Sequence, residues 1–490
     1  MRSLNVFSGQ ESVKDFLRPN NLLPTPLVEI PATLNPFYKD GVRIYAKLMN
    51  TLPLQNVKSL PAYEMLSSAQ KSGRLRNVYS LIENSSGNTA FSLAVLGRMF
   101  GIPKTTAIVS HEVSPGKLKL LRLFNTSIRV NKEPICPDPN DLTSGIHIAR
   151  RTGDKTGWFN PSQYDNVANP AAHRRYTGPQ IWKQTRGRIT VFCAGLGTTG
   201  TLVGAGNFLK KASRGQVTTV GVVRAPNNPV PGVRTNNLLK DIAFDWQGTS
   251  DHLVTIDTKA SFIQSLKLCR AGIIAGPSSG FALAGLLSFL KKAKRNNTIN
   301  SLRNKNNEVL AVFVCPDNPS PYLDEYFNYL PSTFFPKIIN EELLLRRPKT
   351  VPYINNVVTR TPELEPREAF KKIYNVQAKI LWRQLENGET VNLNPDIRIL
   401  DIRSLNEFNH AHLPGSVNIS PQQALALDKN SAYKKARLIL LVCESGERTK
   451  MYAQKLTKHG LPAFSLRGGI QEWSQKNLPR FRPTLCLPQS

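Results

Sequence analysis

From about Leu27 to Phe327 the chain alternates short apolar runs with amphipathic stretches of helical period. The runs Val42–Ile44, Thr106–Val109, Ile189–Cys193, Val217–Val223 and Val309–Val314 are rich in β-branched residues and predict strands. Helices are predicted over Ala62–Ala69, Phe91–Phe100 and Ala282–Leu290, and in a stretch running through Leu209. Several strands are followed by Gly or Ser and then by a helix. That order is the signature of an open α/β fold with largely parallel strands and functional loops at their carboxyl ends. Around Arg346–Pro366 the texture changes to Arg-Arg-Pro-Lys followed by Pro352, Pro362 and Pro366, which reads as a linker. A smaller α/β unit follows, with a helix near Ala378–Glu386, strands at Ile397–Leu400 and Leu438–Val442, and a helix through Lys458. The expected organisation is a long α/β domain over 1–345, a linker over 346–375 and a small α/β domain over 376–490, without internal repeats.

Composition agrees with that division. A chain of 490 residues exceeds one hydrophobic core, and 40% hydrophobic with 20% charged residues is a globular balance. No run of eighteen apolar residues occurs, so no membrane span is expected. The start, Met1-Arg2-Ser3-Leu4-Asn5-Val6, lacks the apolar stretch of a secretory signal. Six cysteines (Cys136, Cys193, Cys269, Cys315, Cys443 and Cys486) form no CxxC pair and no metal-ligand spacing. They point to a reducing compartment, the cytoplasm, and to no metal.

Charge alters the picture more. A net charge of +30 raises nucleic acid, an anionic membrane or an acidic protein as partners. Yet basic residues are spread along the chain, and the densest run, Lys291-Lys292-Ala293-Lys294-Arg295, closes an apolar helix where the dipole favours cations. No zinc-finger, RNA-recognition or basic-zipper pattern is present. A solvated basic surface is preferred over nucleic-acid or membrane binding, and an acidic partner stays open.

Four segments carry candidate chemistry in the long domain. The first, Pro53-Leu54-Gln55-Asn56-Val57-Lys58-Ser59, sets a lysine ahead of a helix. A lone lysine is usually a solvated charge, but a nucleophilic one must sit in a dry pocket that keeps its amine neutral. The second, Ser85-Ser86-Gly87-Asn88-Thr89, opens a helix with small hydroxyl residues. It can be an ordinary cap or a cradle for a carboxylate. The third, Gly195-Leu196-Gly197-Thr198-Thr199-Gly200-Thr201, joins a strand to a helix and suits a single phosphate. It lacks the Lys-Ser/Thr ending of a nucleotide P-loop and a clearly placed acidic ribose ligand. The fourth is Gly276-Pro277-Ser278-Ser279-Gly280, again opening an apolar helix.

Together with Gln163-Tyr164-Asp165-Asn166-Val167-Ala168-Asn169-Pro170, Ala172-His173 and Tyr176-Thr177-Gly178-Pro179, these segments resemble the fold type II pyridoxal-phosphate enzymes. The resemblance is to cysteine synthases and their cystathionine β-synthase relatives, over about residues 20–330. It implies two open α/β subdomains, pyridoxal 5'-phosphate as cofactor, a small amino-acid substrate and a homodimer. It implies that Lys58 holds the cofactor covalently and that Asn88 bonds the ring hydroxyl. Gly197, Thr198, Thr199, Gly200 and Thr201 would hold the phosphate. Ser278, in preference to Ser279, would bond the pyridine nitrogen, and Ser85, Ser86, Thr89 and Gln163 would grip the substrate carboxylate. A neutral hydroxyl at the ring nitrogen makes a weak electron sink, which suits loss of a β-leaving group better than transamination. Arg234, in Pro231-Gly232-Val233-Arg234-Thr235, is a candidate for a phosphate leaving group, with a surface arginine as the plainer alternative. The chain departs from the family with Gln55-Asn56-Val57 and Ser59-Leu60 around the lysine, Thr199 for a usual glycine, and Ala90 for a common one.

The small domain combines Asp401-Ile402-Arg403, His412-Leu413-Pro414-Gly415, Cys443-Glu444-Ser445-Gly446-Glu447-Arg448-Thr449 and Leu466-Arg467-Gly468-Gly469. Cys443 falls between a strand and a helix, so backbone N–H groups and the positive helix end favour a thiolate there. Four residues separate it from Arg448, fewer than a cysteine phosphatase needs to enclose phosphate. The set resembles a rhodanese-like sulfurtransferase domain over about 376–480, with Ala411 where glycine is usual. Glu444, Ser445, Gly446, Glu447 and Arg448 would form the persulfide loop, while Asp401 and Arg403 would fix it. The expected function is β-replacement on O-acetylserine or O-phosphoserine giving cysteine, with sulfur carried on Cys443 from a sulfur donor. The alternatives are a diaminopropionate- or cystathionine-forming enzyme, with the small domain docking an acidic sulfur carrier.

Overall fold

The computed structural model describes residues 5–481 except 111–112, 132–141, 241, 340–361, 392 and 430. Most of the expected linker, Cys136 and Cys486 lie outside the described residues. The chain divides into a long unit up to Pro336 and a second unit beyond it.

The long unit holds two sheets. In the first the order is Leu27–Glu29, Val42–Leu48, Val309–Cys315, Val191–Gly195, Thr218–Arg224 and His252–Ile256, with only the Leu27–Glu29 edge antiparallel. In the second, Ser127–Val130, Lys104–Val109, Ser80–Asn84 and Trp158–Phe159 run parallel in that order. Burial explains the unbroken apolar runs. Val309, Ala311 and Phe313 face one core with Val42 and Ile44, while Leu310, Val312 and Val314 face another with Phe192 and Leu202. A strand covered on both faces needs apolar residues at every position. Register, rather than hydrophobicity, sets the strand ends. The runs predicted at Ile189–Cys193 and Val217–Val223 shift to Val191–Gly195 and Thr218–Arg224 because Val191 pairs with both Thr218 and Ala311.

The helix predicted through Leu209 reaches Ala212, but Leu202–Gly206 is a π turn. There Gly204 lets the backbone lie against the Pro170 carbonyl and His173, the start of a second π turn, His173–Thr177. Such turns open a helix locally and recur at functional sites.

The second unit is a parallel sheet in the order Glu363–Leu364, Ala463–Leu466, Leu438–Val442, Ile397–Asp401 and Val417–Asn418. Leu438, Leu440 and Val442 face Trp473, and Ile439 and Leu441 face Tyr452. The helix near Ala378–Glu386 forms over that span. No helix among the described residues is long and apolar enough to cross a membrane.

One buried cation fastens the long unit's edge strand. Lys47 is fully buried and donates to the Thr25 carbonyl at 2.7 Å, Gln180 Oε1 at 2.9 Å and Gln184 Oε1 at 2.8 Å. Burial pulls its amine down to about 7, while three acceptors match its three N–H groups. The Thr25 carbonyl keeps Gln184 Nε2 as a donor and Gln180 Oε1 keeps Thr25, so Lys47→Met should strand Gln184 Oε1 and lower stability by about 1–3 kcal/mol, the cost of one unsatisfied buried group. A thermal transition unchanged from wild type would show that the tie is dispensable.

Candidate functional site

The carboxyl end of Val309–Cys315 organises the site. Val57 N donates to the Pro316 carbonyl at 2.7 Å, and Asn56 bridges Asp317. The buried Asn56 Oδ1 accepts from Lys58 N at 2.9 Å and from Ser92 Oγ at 3.1 Å, which fixes Lys58 at the start of the helix Ser59–Lys71. By surface area Lys58 is half-buried. Protein still surrounds it closely enough that burial pushes the amine down to about 8, with the charge of Asp317 opposing. An amine so close to neutrality is primed as a nucleophile and base.

Asp317 also receives Asn88 Nδ2 at 2.6 Å and the Tyr322 hydroxyl, both on Oδ2. Burial raises its pKa against these bonds and against the charges of Lys117 and Lys58. Sequence reasoning did not select Asp317 as a site residue. Its position just past a central strand's carboxyl end was the available signal.

The Ser85–Thr89 turn meets Gln163. Thr89 Oγ1 donates to Gln163 Oε1 at 2.6 Å, and Gln163 Nε2 donates to the Asn84 carbonyl at 2.9 Å. Gln163 N donates to Glu83 Oε2 at 3.2 Å, and burial pushes the Glu83 carboxyl up to about 8. Ser85 Oγ accepts from Gly87 N and Ala90 N, and Ser86 Oγ from Ser110 N, so each hydroxyl keeps its proton to donate.

Asn169 links this cradle to the glycine-rich loop. Its Nδ2 donates to the Gln163 carbonyl at 2.7 Å and to Thr198 Oγ1 at 3.0 Å. Gly200 has no room for a side chain, since a Cβ there would strike the Asn169 amide. Thr201 Oγ1 lies 3.2 Å from His173 Nε2, whose pKa burial and then the Lys58 charge push down to about 3. Thr199 is 2% exposed at φ +63°, and its hydroxyl has no hydrogen-bond partner among the described residues. Gln55 likewise adopts φ +52°. Thr199 falls where the chain departs from a usual glycine of the family it resembles, and Gln55 falls in the departure ahead of Lys58.

Ser278 and Ser279 lie buried in the first turn of Pro277–Arg295, and Gly276 N ties that turn to the Asp317 carbonyl at 2.9 Å. Ser279 Oγ has no partner among the described residues. Arg234 is not a surface arginine. It is buried with its guanidinium 4.7 Å over the Tyr164 ring, its Nη1 donates to the Leu238 carbonyl at 3.3 Å, and its backbone N donates to the Leu196 carbonyl. The structure therefore draws all four sequence segments, Gln163 and Arg234 into one neighbourhood. His173, Asn169, Glu83 and Lys117 join it without having been singled out from the sequence.

In the second unit Cys443 follows Leu438–Val442 and is 1% exposed, with Sγ 3.5 Å from Thr449 Oγ1. Residues 443–446 lead into the helix Glu447–Lys458. The Cys443 and Glu444 carbonyls accept from Ile470 N and Gln471 N. A side chain at Gly469, φ +58°, would strike both carbonyls. Asp401 and Arg403 form a buried bidentate pair, and Arg403 reaches Glu444 at 3.5 Å.

Residues 20–301 match the pyridoxal-phosphate dependent enzyme family, and 377–476 match the rhodanese-like domain. The cysteine synthase of Aquifex aeolicus is 30% identical over 307 residues, covering 61% of this chain and 88% of that protein. Cysteine synthase B of Escherichia coli is 32% identical over 270 residues, covering 54% and 85%. Among solved structures, an O-ureido-L-serine synthase superposes with a TM-score of 0.53 at 25% identity, covering 64% of this chain and 95% of the other. The chain belongs to the pyridoxal-phosphate dependent enzyme family. It is a cysteine synthase-like enzyme of fold type II with a C-terminal rhodanese-like domain.

The residues present fit that cofactor. A near-neutral lysine amine faces a neighbourhood in which Thr199 Oγ1, Ser279 Oγ, Asn169 Oδ1 and Asp317 Oδ1 are buried without partners among the described residues. Such orphaned atoms are rare unless a ligand satisfies them. A β-branched residue at positive φ costs about 1–3 kcal/mol. Thr199→Gly should therefore raise the thermal stability of the cofactor-free protein, while removal of a hydroxyl donor weakens pyridoxal-phosphate uptake. Thr199→Ser should keep the uptake. Loss of stability in the glycine variant, measured by calorimetry, would contradict the strain argument.

Proposed function

We propose that the enzyme carries out β-replacement on an activated serine, O-phosphoserine in preference to O-acetylserine, giving cysteine. Its rhodanese-like domain would carry the sulfur on Cys443. The observation that carries the reading is the placement of Lys58, its amine pKa lowered by burial, framed by Asn56 and Asp317 and set in a site whose cradle and glycine-rich loop are joined through Asn169.

Bound pyridoxal phosphate supplies an electron sink that makes the substrate's α-proton acidic and its β-substituent labile. Lys58 would hold the cofactor through its amine and, once released, take the α-proton. Asn88 would bond the ring hydroxyl, oriented by Asp317, and Ser278 the ring nitrogen. Gly197, Thr198, Thr199, Gly200 and Thr201 would surround the phosphate. Ser85, Ser86, Thr89 and Gln163 would hold the substrate carboxylate. Arg234, buried against Tyr164, would receive a phosphate leaving group.

On the second domain, the Cys443 thiolate would attack the outer sulfur of thiosulfate. A Cys–S–S⁻ persulfide forms and sulfite leaves with the electron pair of the broken S–S bond. Backbone N–H groups of Glu444, Ser445, Gly446 and Glu447, with Arg448, would hold the persulfide charge. A thiol reductant then releases the outer sulfur as sulfide for the synthase site. Tethering the two sites raises the local sulfide supply.

Arg234→Ala should depress cysteine formation from O-phosphoserine and sulfide by about ten- to a hundredfold, the worth of a charged hydrogen bond. O-acetylserine turnover should change far less. Equal losses on both substrates would make Arg234 a structural residue. Cys443→Ser should abolish sulfite release from thiosulfate yet leave cysteine synthesis from free sulfide intact. Persistent sulfite release in that variant would remove Cys443 from sulfur transfer.

A further inference from the structure

Lys117 occupies the first turn of the helix Pro115–Leu123, which contains no acidic residue. A cation there opposes the positive end of the helix dipole. Its side chain crosses to the candidate carboxylate cradle, where a Cβ built on Gly87 would lie 3.3 Å from both Cε and Nζ of Lys117. Gly87 starts the helix Asn88–Met99 and provides no side-chain cap. The amine lies 5.1 Å from the centre of the Tyr322 ring. Asp317 and Glu325 raise its pKa through charge alone, against the larger lowering effect of burial. Asp317 Oδ2 is already engaged by Asn88 and Tyr322, and although Asp317 Oδ1 has no partner among the described residues, neither Asp317 nor Glu325 comes within ion-pair distance of the Lys117 amine.

A partly buried ammonium is thus held beside two helix starts, with two carboxyls acting on it only at a distance. That placement is costly unless an anion shares the space. The cradle itself offers neutral donors, the hydroxyls of Ser85, Ser86 and Thr89 together with backbone N–H groups. An amino acid's α-carboxylate brought to this cradle would meet the missing charge at Gly87.

We infer that Lys117 is a specificity-determining residue that supplies the charged contact to the α-carboxylate of the amino-acid substrate. This rests on the proposed function, because that reading places the carboxylate at the Ser85–Thr89 turn. Lys117 then selects free amino acids over their esters and amines. A purely structural role, as a counter-charge to Asp317, would show no such selectivity.

The test uses the full chain loaded with pyridoxal phosphate, as wild type, Lys117→Met and Lys117→Arg. Each is titrated with L-serine and with L-serine methyl ester while cofactor absorbance is followed. All three should load the cofactor equally. Lys117→Met should weaken L-serine binding by about ten- to a hundredfold, as expected for loss of a charged hydrogen bond, and leave the ester unchanged. Lys117→Arg should restore most of the L-serine affinity. Equal weakening of acid and ester, or no weakening of either, overturns the inference. So does a Lys117→Met protein that folds but fails to load, which would place Lys117 in the Asp317 framework. A wild-type absorbance indifferent to both probes would instead sink the proposed function, and this inference with it.

Discussion

The buried carboxylate of Asp317 is the constraint on which the long unit's site depends. It sits just beyond a strand covered on both faces, so its position is set by a fully buried element of the fold. From there it receives Asn88, pairs through its backbone with Asn56 and Gly276, and acts electrostatically on Lys58. A carboxylate in that environment is costly to ionise without partners. Tyr322 and Asn88, which bond it, and Lys58, which acts on it by charge, are among the groups that make it tolerable, and in doing so they are drawn together. The lysine amine is held near neutrality by a balance, with desolvation lowering its pKa and Asp317 raising it.

Two of the left-handed, non-glycine residues fall at the same site. Gln55 and Thr199 adopt left-handed backbone conformations that glycine accepts without cost, one ahead of Lys58 and the other in the glycine-rich loop. Their neighbours over-determine them. Gln55 N bonds the Leu52 carbonyl, and Thr199 leads into a helical run braced by Asn169 and His173. The two π turns, Leu202–Gly206 and His173–Thr177, lie directly behind that loop. The helix geometry is therefore adjusted next to the glycine-rich loop, and regular α-helix follows from Asn207.

The second unit solves a similar problem with different parts. The Asp401–Arg403 pair is buried and bidentate, and breaking such a pair typically costs about 3–5 kcal/mol because it leaves a charge unpaired. Through Glu444, which Gln471 also holds, it reaches the loop that begins at Cys443. The loop's shape is thus fixed from two sides, by Arg403 and by the Gly468-Gly469 turn.

Much of this was legible in the sequence. Most of the apolar runs located their strands to within one or two residues, because burial on both faces leaves few polar positions to blur the pattern; Val42–Leu48 runs four residues past its expected end because Tyr45 and Lys47 interrupt the apolar run. The order of Lys58, Ser85–Thr89, Gly195–Thr201 and Gly276–Gly280 marked the cofactor class, and Cys443 with its following loop marked the rhodanese-like domain. Local chemistry writes itself into short motifs in this way. The sequence could not reveal that Asn169 joins Gln163 to Thr198, that Arg234 is buried against Tyr164, or that Lys117 crosses to Gly87. Those residues come from different elements and carry no periodicity of their own. The strained angles at Gln55 and Thr199 were equally hidden, since a side chain does not announce the backbone it must adopt. What the sequence determined by itself was which elements form and what chemistry they carry. Only tertiary packing decided which charges face one another, because desolvation and pairing depend on neighbours brought together by the fold.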